Sequence, residues 1–436
     1  MGKITIIGAG LAGSEAALQL ADKGFHVTVF EMRPGVMTPA HSTGLPAELV
    51  CSNSFRSDLF HNAPGLLKEE LRRAGSYLMQ AADSCRVPAG GALAVDRELF
   101  SRKVLEMIQA RDNIALMERE LDHIPPGDVI IAAGPLASPS LTSEIMRHTG
   151  RESLYFYDAI APVVSAESLD MEKIFLQNRY SMEDDADYLN CPFSEDQYRM
   201  FVRELREGER VSTRKFEDEK HFQGCMPVEA IADSGEMSLA FGPMKPVGLT
   251  VPGTGRRPFA AVQLRKENIH GTAWNLVGFQ TKLTYPEQKR IFRMIPGLEG
   301  AEFLRLGSMH RNTYINGPKL LDRFMRLRTD PRIMFAGQIT GVEGYIESIA
   351  SGFTAGIIAA GEKVLPPAET ALGALLVYCT SREEANYQPS NVNYGLFPPM
   401  KTRGGRRERR EARALRAIEK LETWLDDISF SPGQGV

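Results

Sequence analysis

The chain has little cysteine and no long apolar run, and neither its charge nor its sequence repeats in any directive way. Its five cysteines (Cys51, Cys85, Cys191, Cys225 and Cys379) are odd in number and form no Cys-x-x-Cys pair. That argues against a disulfide framework and against a structural zinc site. The longest weakly polar stretch, Ile346 to Ala360, is interrupted by Glu347 and by glycines. It is too short to span a bilayer. The net charge of −4 gives no general attraction to nucleic acid, so any such site must be a local patch. No internal repeat is visible. The first strand begins at the N-terminus, leaving no room for a leader peptide. A reduced, cytoplasmic protein is expected, with no membrane contact and no DNA partner. Its 436 residues suffice for two or three domains.

What is present is concentrated at the start. Residues 4 to 31 run from an apolar strand (Ile4 to Ile7) through Gly8-Ala9-Gly10-Leu11-Ala12-Gly13 into a helix, then a second strand ending in Glu31. Gly8 permits the tight turn, Gly10 lets the backbone approach a pyrophosphate, and Gly13 lets the helix pack close. The helix N-terminus offers unpaired N–H groups to phosphates. A carboxylate at Glu31 accepts from a ribose 2′-hydroxyl, which favours FAD or NAD over a 2′-phosphorylated nucleotide. FAD is the expected cofactor. A glycine-rich turn that binds nothing would not carry the strand, the helix and the acid together.

An apolar strand, Val129 to Ala133, precedes Gly134-Pro135. The pattern returns at Arg332 to Ala336, running into Gly337-Gln338 and a helix rich in small residues. Between them the texture changes to short strands, turns and acidic runs. The expected fold class is therefore α/β, a Rossmann-like FAD-binding domain with an inserted α+β domain. The expected boundaries are 1–154 for the first part of the FAD-binding domain, 155–300 for the insert, and 301–436 for the second part with a basic tail. Tyr345, just past the second glycine element, either covers the flavin or packs the helix start.

Lys401 to Lys420 holds nine Lys/Arg and three Glu. Arg406, Arg407, Arg409 and Arg410 are its densest run. A solvated helix face is one explanation. The other is a phosphate-binding strip, because guanidinium forks suit phosphate oxygens and the rest of the chain is acidic. Cys51, in a polar turn near Arg56, and Cys225, between glycine and proline near Glu229, have surroundings that suit a thiolate. Cys379 reads as core. His310, beside Arg311, is a weaker candidate.

Together these segments carry a family resemblance. The motifs are Cys51-Ser-Asn-Ser-Phe-Arg56, Tyr188-Leu-Asn-Cys-Pro192, Gly224-Cys-Met-Pro-Val-Glu229 and Phe241-Gly-Pro-Met-Lys-Pro-Val-Gly-Leu249. Asn275-Leu-Val-Gly-Phe-Gln-Thr281, Met309-His-Arg-Asn-Thr313, Phe335-Ala-Gly-Gln338 and Asn391-Val-Asn-Tyr-Gly-Leu-Phe-Pro398 follow. The chain resembles the bacterial folate- and FAD-dependent tRNA (uracil-5-)-methyltransferases over nearly its whole length. More distantly it resembles the flavoproteins that modify the wobble uridine of tRNA, which lack the paired cysteine motifs.

The resemblance implies formation of 5-methyluridine at the T-loop uridine (position 54) of tRNA. 5,10-Methylenetetrahydrofolate is the one-carbon donor, and FAD reduced by NAD(P)H relays the methylene through N5 and supplies the reducing equivalent. Cys51 and Cys225 are both implicated, Cys225 as the nucleophile at uracil C6 and Cys51 as its partner near the flavin, though the residues alone leave the two roles open. Lys282 stands where the family often has a pterin-stacking histidine. Lysine cannot stack, so the contact becomes cationic, to the pterin or the folate glutamate tail, with Tyr285 offering aromatic surface. A wobble-uridine flavoprotein subunit and a generic FAD oxidoreductase are the competing readings.

Overall fold

The computed structural model describes residues 2–38, 40–150, 153–159, 161–179, 186–211, 226–381, 387–400 and 405–430, and only the backbone at 153–159, 309–311, 406 and 429–430. Among the described residues the first sheet has six strands. Their order is 326–327, 330–335, 128–131, 3–7, 26–31 and 114–118. The last five are parallel, with Lys3–Ile7 at their centre, paired to Asp128–Ile131 and His26–Glu31. Ile4, Ile6, Val27, Val29 and Ile130 are almost wholly buried. Such near-continuous apolar strands are what a parallel sheet covered on both faces requires. Each of these side chains contributes roughly 1.5–3 kcal/mol by burial.

The helix Leu11–Asp22 lies against the helix Tyr345–Ala359. Small residues set how closely the two approach. A Cβ on Gly352 would fall 2.2 Å from the Ala12 carbonyl oxygen, and one on Gly356 would fall 3.2 Å from Ala16 Cα. The run of alanine and glycine that gave the second helix its texture is thus a packing seam onto the first. It brings the N-termini of both helices to one edge of the sheet.

The second sheet is antiparallel, ordered 175–176, 188–193, 260–266, 273–276, 163–165 and 303–305. The helix Glu195–Glu207 covers it. Ser194 and Gln197 form a capping box at its start. Tyr198, Phe201, Val202 and Leu205 recur at helical spacing and are buried, Phe201 packing on Phe193 and Phe279. This core is separate from that of the first sheet. The chain leaves the nucleotide-type layer through Ser153–Ala159 and returns through Met309–Ile315, two antiparallel partners. The architecture is α/β, a Rossmann-like layer with a second, inserted α+β unit. A small third sheet (54–57, 92–95, 86–87) follows the Cys51 turn. The basic tail forms the helix Arg406–Phe430, with Ala414, Ala417, Leu421 and Trp424 buried. No described helix is long and apolar enough to cross a membrane.

Candidate functional site

A cleft opens at the edge where the strands end and the two helices begin. Gly8, Gly10, Leu11, Ala12 and Glu31 line one wall, and Gly337, Gln338 and Tyr345 another. Gly8 has φ +103°, a conformation that a side chain strongly disfavours. A Cβ on Gly10 would meet nothing within 4 Å, so the glycine leaves open space in the cleft. Ala9 and Gly13 do not line it; they hold it. The Ala9 amide donates to Glu31 Oε2 at 2.9 Å. A Cβ on Gly13 would come within 1.9 Å of the Gly8 carbonyl oxygen. Gly337 has φ +80° and its amide donates to Ser351 Oγ at 2.8 Å, while Gln338 Nε2 donates to Glu343 at 2.6 Å.

Glu31 is buried. Its Oε1 accepts from the Arg33 backbone amide at 3.1 Å and from Arg33 Nε at 2.9 Å. Burial alone would push its carboxyl up, but the Arg33 hydrogen bonds and charge outweigh this and hold it below the ordinary carboxylate range. Arg33 in turn reaches Glu48 at 3.0 Å, and Glu48 accepts from the Ser42 and Thr43 amides and hydroxyls. This tie between Glu31, Arg33 and the loop 42–48 shapes the adjoining wall. No spacing in the sequence announces it. A buried arginine two residues after the acid is the one local hint.

Cys51 is half-buried beside this cleft, which the neighbouring Val50 lines. Its amide and that of Ser52 donate to the Tyr345 hydroxyl at 2.7 and 3.1 Å. Of the two readings of Tyr345, the structure bears out packing at the helix start. It packs at the helix start against Phe55, centroids 5.7 Å apart, and it faces the cleft. Arg56, at φ +65°, pairs with the buried Glu347 at 3.3 Å. Glu347 also accepts from the Val392 amide at 2.9 Å. The motifs at 51–56 and 391–398 thereby meet at the start of the helix Tyr345–Ala359. Cys85, Cys191 and Cys379 are buried, and burial pushes the Cys379 thiol up to about 12, the setting of an inert core thiol.

Cys225 lies outside the described residues. The chain just beyond it is anchored: Pro227 precedes the helix Val228–Asp233, and the Val228 amide donates to the Gln280 carbonyl at 2.7 Å. Lys282 is buried. Its amide donates to Glu229 at 2.5 Å, and Thr281 Oγ1 donates to the same carboxylate. The segments around Cys225 and Lys282 are thus joined through Glu229 and Gln280. Tyr285 is exposed. The side chain of His310 is not described.

The arginine tail divides. Arg407 and Arg409 are exposed. Arg410 is half-buried and donates to Asn62 at 3.3 Å, Arg413 lies over the Tyr394 ring at 5.8 Å, and Arg416 donates to the Pro398 carbonyl at 3.3 Å. Arg406 begins the helix; its side chain is not described.

Fold and cleft together define a dinucleotide-binding flavoprotein. The model of the glucose inhibited division protein A family matches residues 3–364. Two crystal forms of Aquifex aeolicus GidA superpose with TM-scores of 0.69 and 0.70 at 15% identity, covering 97% of this chain and 73% and 76% of those, a likeness of fold. Methylenetetrahydrofolate--tRNA-(uracil-5-)-methyltransferase TrmFO of Pelobacter propionicus is 58% identical over 98% of this chain and 95% of its own. The protein of the same description from Geobacter sulfurreducens is 57% identical over 97% and 99%. The chain belongs to the TrmFO family of methylenetetrahydrofolate--tRNA-(uracil-5-)-methyltransferases.

Proposed function

We propose that this chain, a cytoplasmic protein, forms 5-methyluridine at the T-loop uridine (position 54) of tRNA, with 5,10-methylenetetrahydrofolate as donor and NAD(P)H as reductant. The observation that carries this reading is the junction at Tyr345: one side chain lines the dinucleotide cleft and grips the backbone of the motif cysteine. A redox cofactor bound in the cleft would therefore lie beside the thiol, which supports a reaction needing both.

The residues fit FAD. Gly8 and Gly10 leave the backbone bare where a pyrophosphate approaches, and Gly10 fronts open space. Among the described residues Glu31 Oε2 has one protein donor, which leaves a lone pair for a ribose hydroxyl, while Arg33 keeps the group ionised. Gly337, Gln338 and Tyr345 would face the flavin. Bound FAD supplies the reducing equivalents and the carrier for the one-carbon unit.

Uracil C5 is a poor nucleophile until a thiolate adds at C6. Covalent attack therefore splits one hard step into two easier ones, and a base then removes the C5 proton. Cys225 is assigned the attack and Cys51 the flavin side. Lys282, joined to the Cys225 segment through Glu229, is assigned a cationic contact to the folate. The tail helix is assigned to tRNA. Arg406, Arg407, Arg409 and Arg410 crowd a helix N-terminus, where the dipole disfavours each cation by about 0.3–1 kcal/mol. Among the described residues Arg407 and Arg409 gain no buried contact in exchange, which suits a phosphate ligand.

Incubation with tRNA carrying 5-fluorouridine tests the assignment. Fluorine cannot leave as a cation, so a covalent protein–RNA adduct should accumulate and map to the peptide containing Cys225. An adduct on the Cys51 peptide would overturn the division of roles, and an adduct on neither cysteine peptide would overturn the covalent mechanism.

A further inference from the structure

The segment 319–328 carries four cations, Lys319, Arg323, Arg326 and Arg328, against one acid, Asp322, in a chain whose net charge is −4. Elsewhere surface arginines meet carboxylates. Arg72 and Arg86 pair with Asp58 at 3.0 and 2.7 Å, and Arg290 pairs with Glu287 at 2.7 Å. Among the described residues Arg323, Arg326 and Arg328 form no ion pair. The acids nearest in the chain are already engaged. Asp322 Oδ1 accepts from the Phe324 and Arg326 amides at 2.8 and 2.9 Å, and Asp330 meets Arg332 at 3.0 Å.

The turn that bears these cations is fixed. Met325, at φ +61°, occupies a region that residues other than glycine rarely adopt. Such a backbone persists only where its surroundings over-determine it. Met325 is buried, its amide donates to the Asp322 carbonyl at 3.0 Å, and its carbonyl accepts from the Phe335 amide at 3.0 Å. The Arg328 amide donates to the Leu320 carbonyl at 2.9 Å. Phe335 leads into Gly337, so the turn abuts the edge of the sheet at which the cleft opens, although none of its residues lines the cleft. Phe324 packs against the first core and carries two guanidiniums by its ring, Arg323 at 4.7 Å and Arg326 at 5.9 Å from the centroid. Stacking on a ring holds a guanidinium in place and leaves its N–H fork for an anion. Arg323 and Arg328 are exposed and Arg326 is half-buried.

Like charges held close on a fixed turn repel one another, and no carboxylate among the described residues relieves them. An open row of forks matches a chain of phosphates better than it matches one small anion. We propose that the turn 319–328 is a phosphate-binding surface for tRNA, separate from the tail helix. Arg323, Arg326 and Arg328 are its ligands, and Phe324 is the positioning residue that presents two of them. That the polyanion is tRNA rests on the function proposed above.

Anisotropy titrations of labelled, unmodified tRNA with the full-length holoenzyme, over about 50 to 300 mM salt, test this. Arg323→Gln, Arg326→Gln and Arg328→Gln together should weaken binding and make the slope of log affinity against log salt shallower by roughly 2, at about 0.7 per contact. Phe324→Leu keeps every charge and an apolar body. It should lower affinity by about two- to five-fold at nearly the wild-type slope, and Phe324→Tyr should restore the affinity. Arg102→Gln with Arg147→Gln removes exposed arginines that pair with Glu98 and Glu144, and should leave the slope unchanged. Flavin absorbance after desalting shows that each variant is folded. If the triple variant is not, Arg323→Gln with Arg328→Gln, both at exposed positions, decides alone with a change of roughly 1.4. Wild-type slope and affinity in the arginine variants overturn the proposal, as does an equal loss of slope in the Arg102 and Arg147 control. Weaker heparin binding or a higher KM for NADPH, with tRNA bound as by wild type, overturns it too. A wild-type holoenzyme that binds tRNA but does not methylate it would overturn the proposed function and leave these slopes standing.

Discussion

Gly10→Val and Gly13→Ala should separate cofactor binding from folding, although both glycines belong to one turn. Gly10 has φ −70° and ψ −170°, which a β-branched residue adopts readily. A Cβ there meets nothing within 4 Å and points new atoms only at the cleft. The apo form of Gly10→Val should therefore match wild type within about 1 kcal/mol, with any gain coming from a stiffer unfolded chain. A Cβ at Gly13 falls 1.9 Å from the Gly8 carbonyl oxygen, a backbone atom that cannot rotate away. Gly13→Ala should cost about 1–3 kcal/mol by overpacking, even without cofactor. FAD at about 100 times its Kd should stabilise wild type by about 2.7 kcal/mol. It should stabilise Gly10→Val not at all. Thermal melts of the apo proteins with and without FAD, together with flavin absorbance after desalting, read all four values. A yellow Gly10→Val whose Tm rises with FAD as wild type does would refute the placement of the pyrophosphate.

Cys51→Ala and Cys225→Ala should each abolish 5-methyluridine formation while the protein stays yellow, since neither residue belongs to the glycine turn; full activity in both would make them structural. Arg407→Gln with Arg409→Gln should weaken tRNA binding and reduce the slope of log affinity against log salt by roughly 1.4, at about 0.7 per phosphate contact. Arg410→Gln should add less to the slope because Arg410 is already half-buried against Asn62; equal slopes for all variants would return the tail to a solvated face. Glu70 caps the helix Ala371–Thr380 by accepting the Ala371 and Leu372 amides, and burial pushes it up to about 8. Its folded form holds a proton that the unfolded form releases near pH 4.5, so its contribution is full below that value and is lost as pH rises through about 8. Urea melts between those limits should show stability falling with pH in wild type and a flatter profile in Glu70→Gln.

The strand, turn and helix at residues 4 to 31 were legible because each signal there is local: the apolar period, the glycines and the terminal acid lie within one supersecondary unit. The same holds for the return at Phe335 to Gln338 and for the core position of Cys379. The contacts that hold the Cys51 loop were not legible. Arg97 donates to the Leu49 carbonyl 48 residues away and Arg305 to the Cys51 carbonyl 254 residues away, and no spacing encodes such contacts. The arginine tail shows the intermediate case. Composition alone makes it one strip, but the helix turns Arg410, Arg413 and Arg416 toward Asn62, Tyr394 and Pro398 and leaves Arg407 and Arg409 outside. Glu31 was legible as an acid at a strand end, whereas its dependence on Arg33 and Glu48 emerges only when the loop 42–48 folds back.

The central claim is that the methyl carbon comes from folate and is installed on tRNA uridine by this one chain. Purified protein, FAD, NAD(P)H, unmodified tRNA and 5,10-methylenetetrahydrofolate labelled at the methylene carbon, followed by nucleoside mass analysis, test it directly. The account predicts labelled 5-methyluridine confined to the T-loop fragment and none when the folate is omitted. Label entering only from S-adenosylmethionine, or no 5-methyluridine from a yellow, tRNA-binding protein, would contradict it.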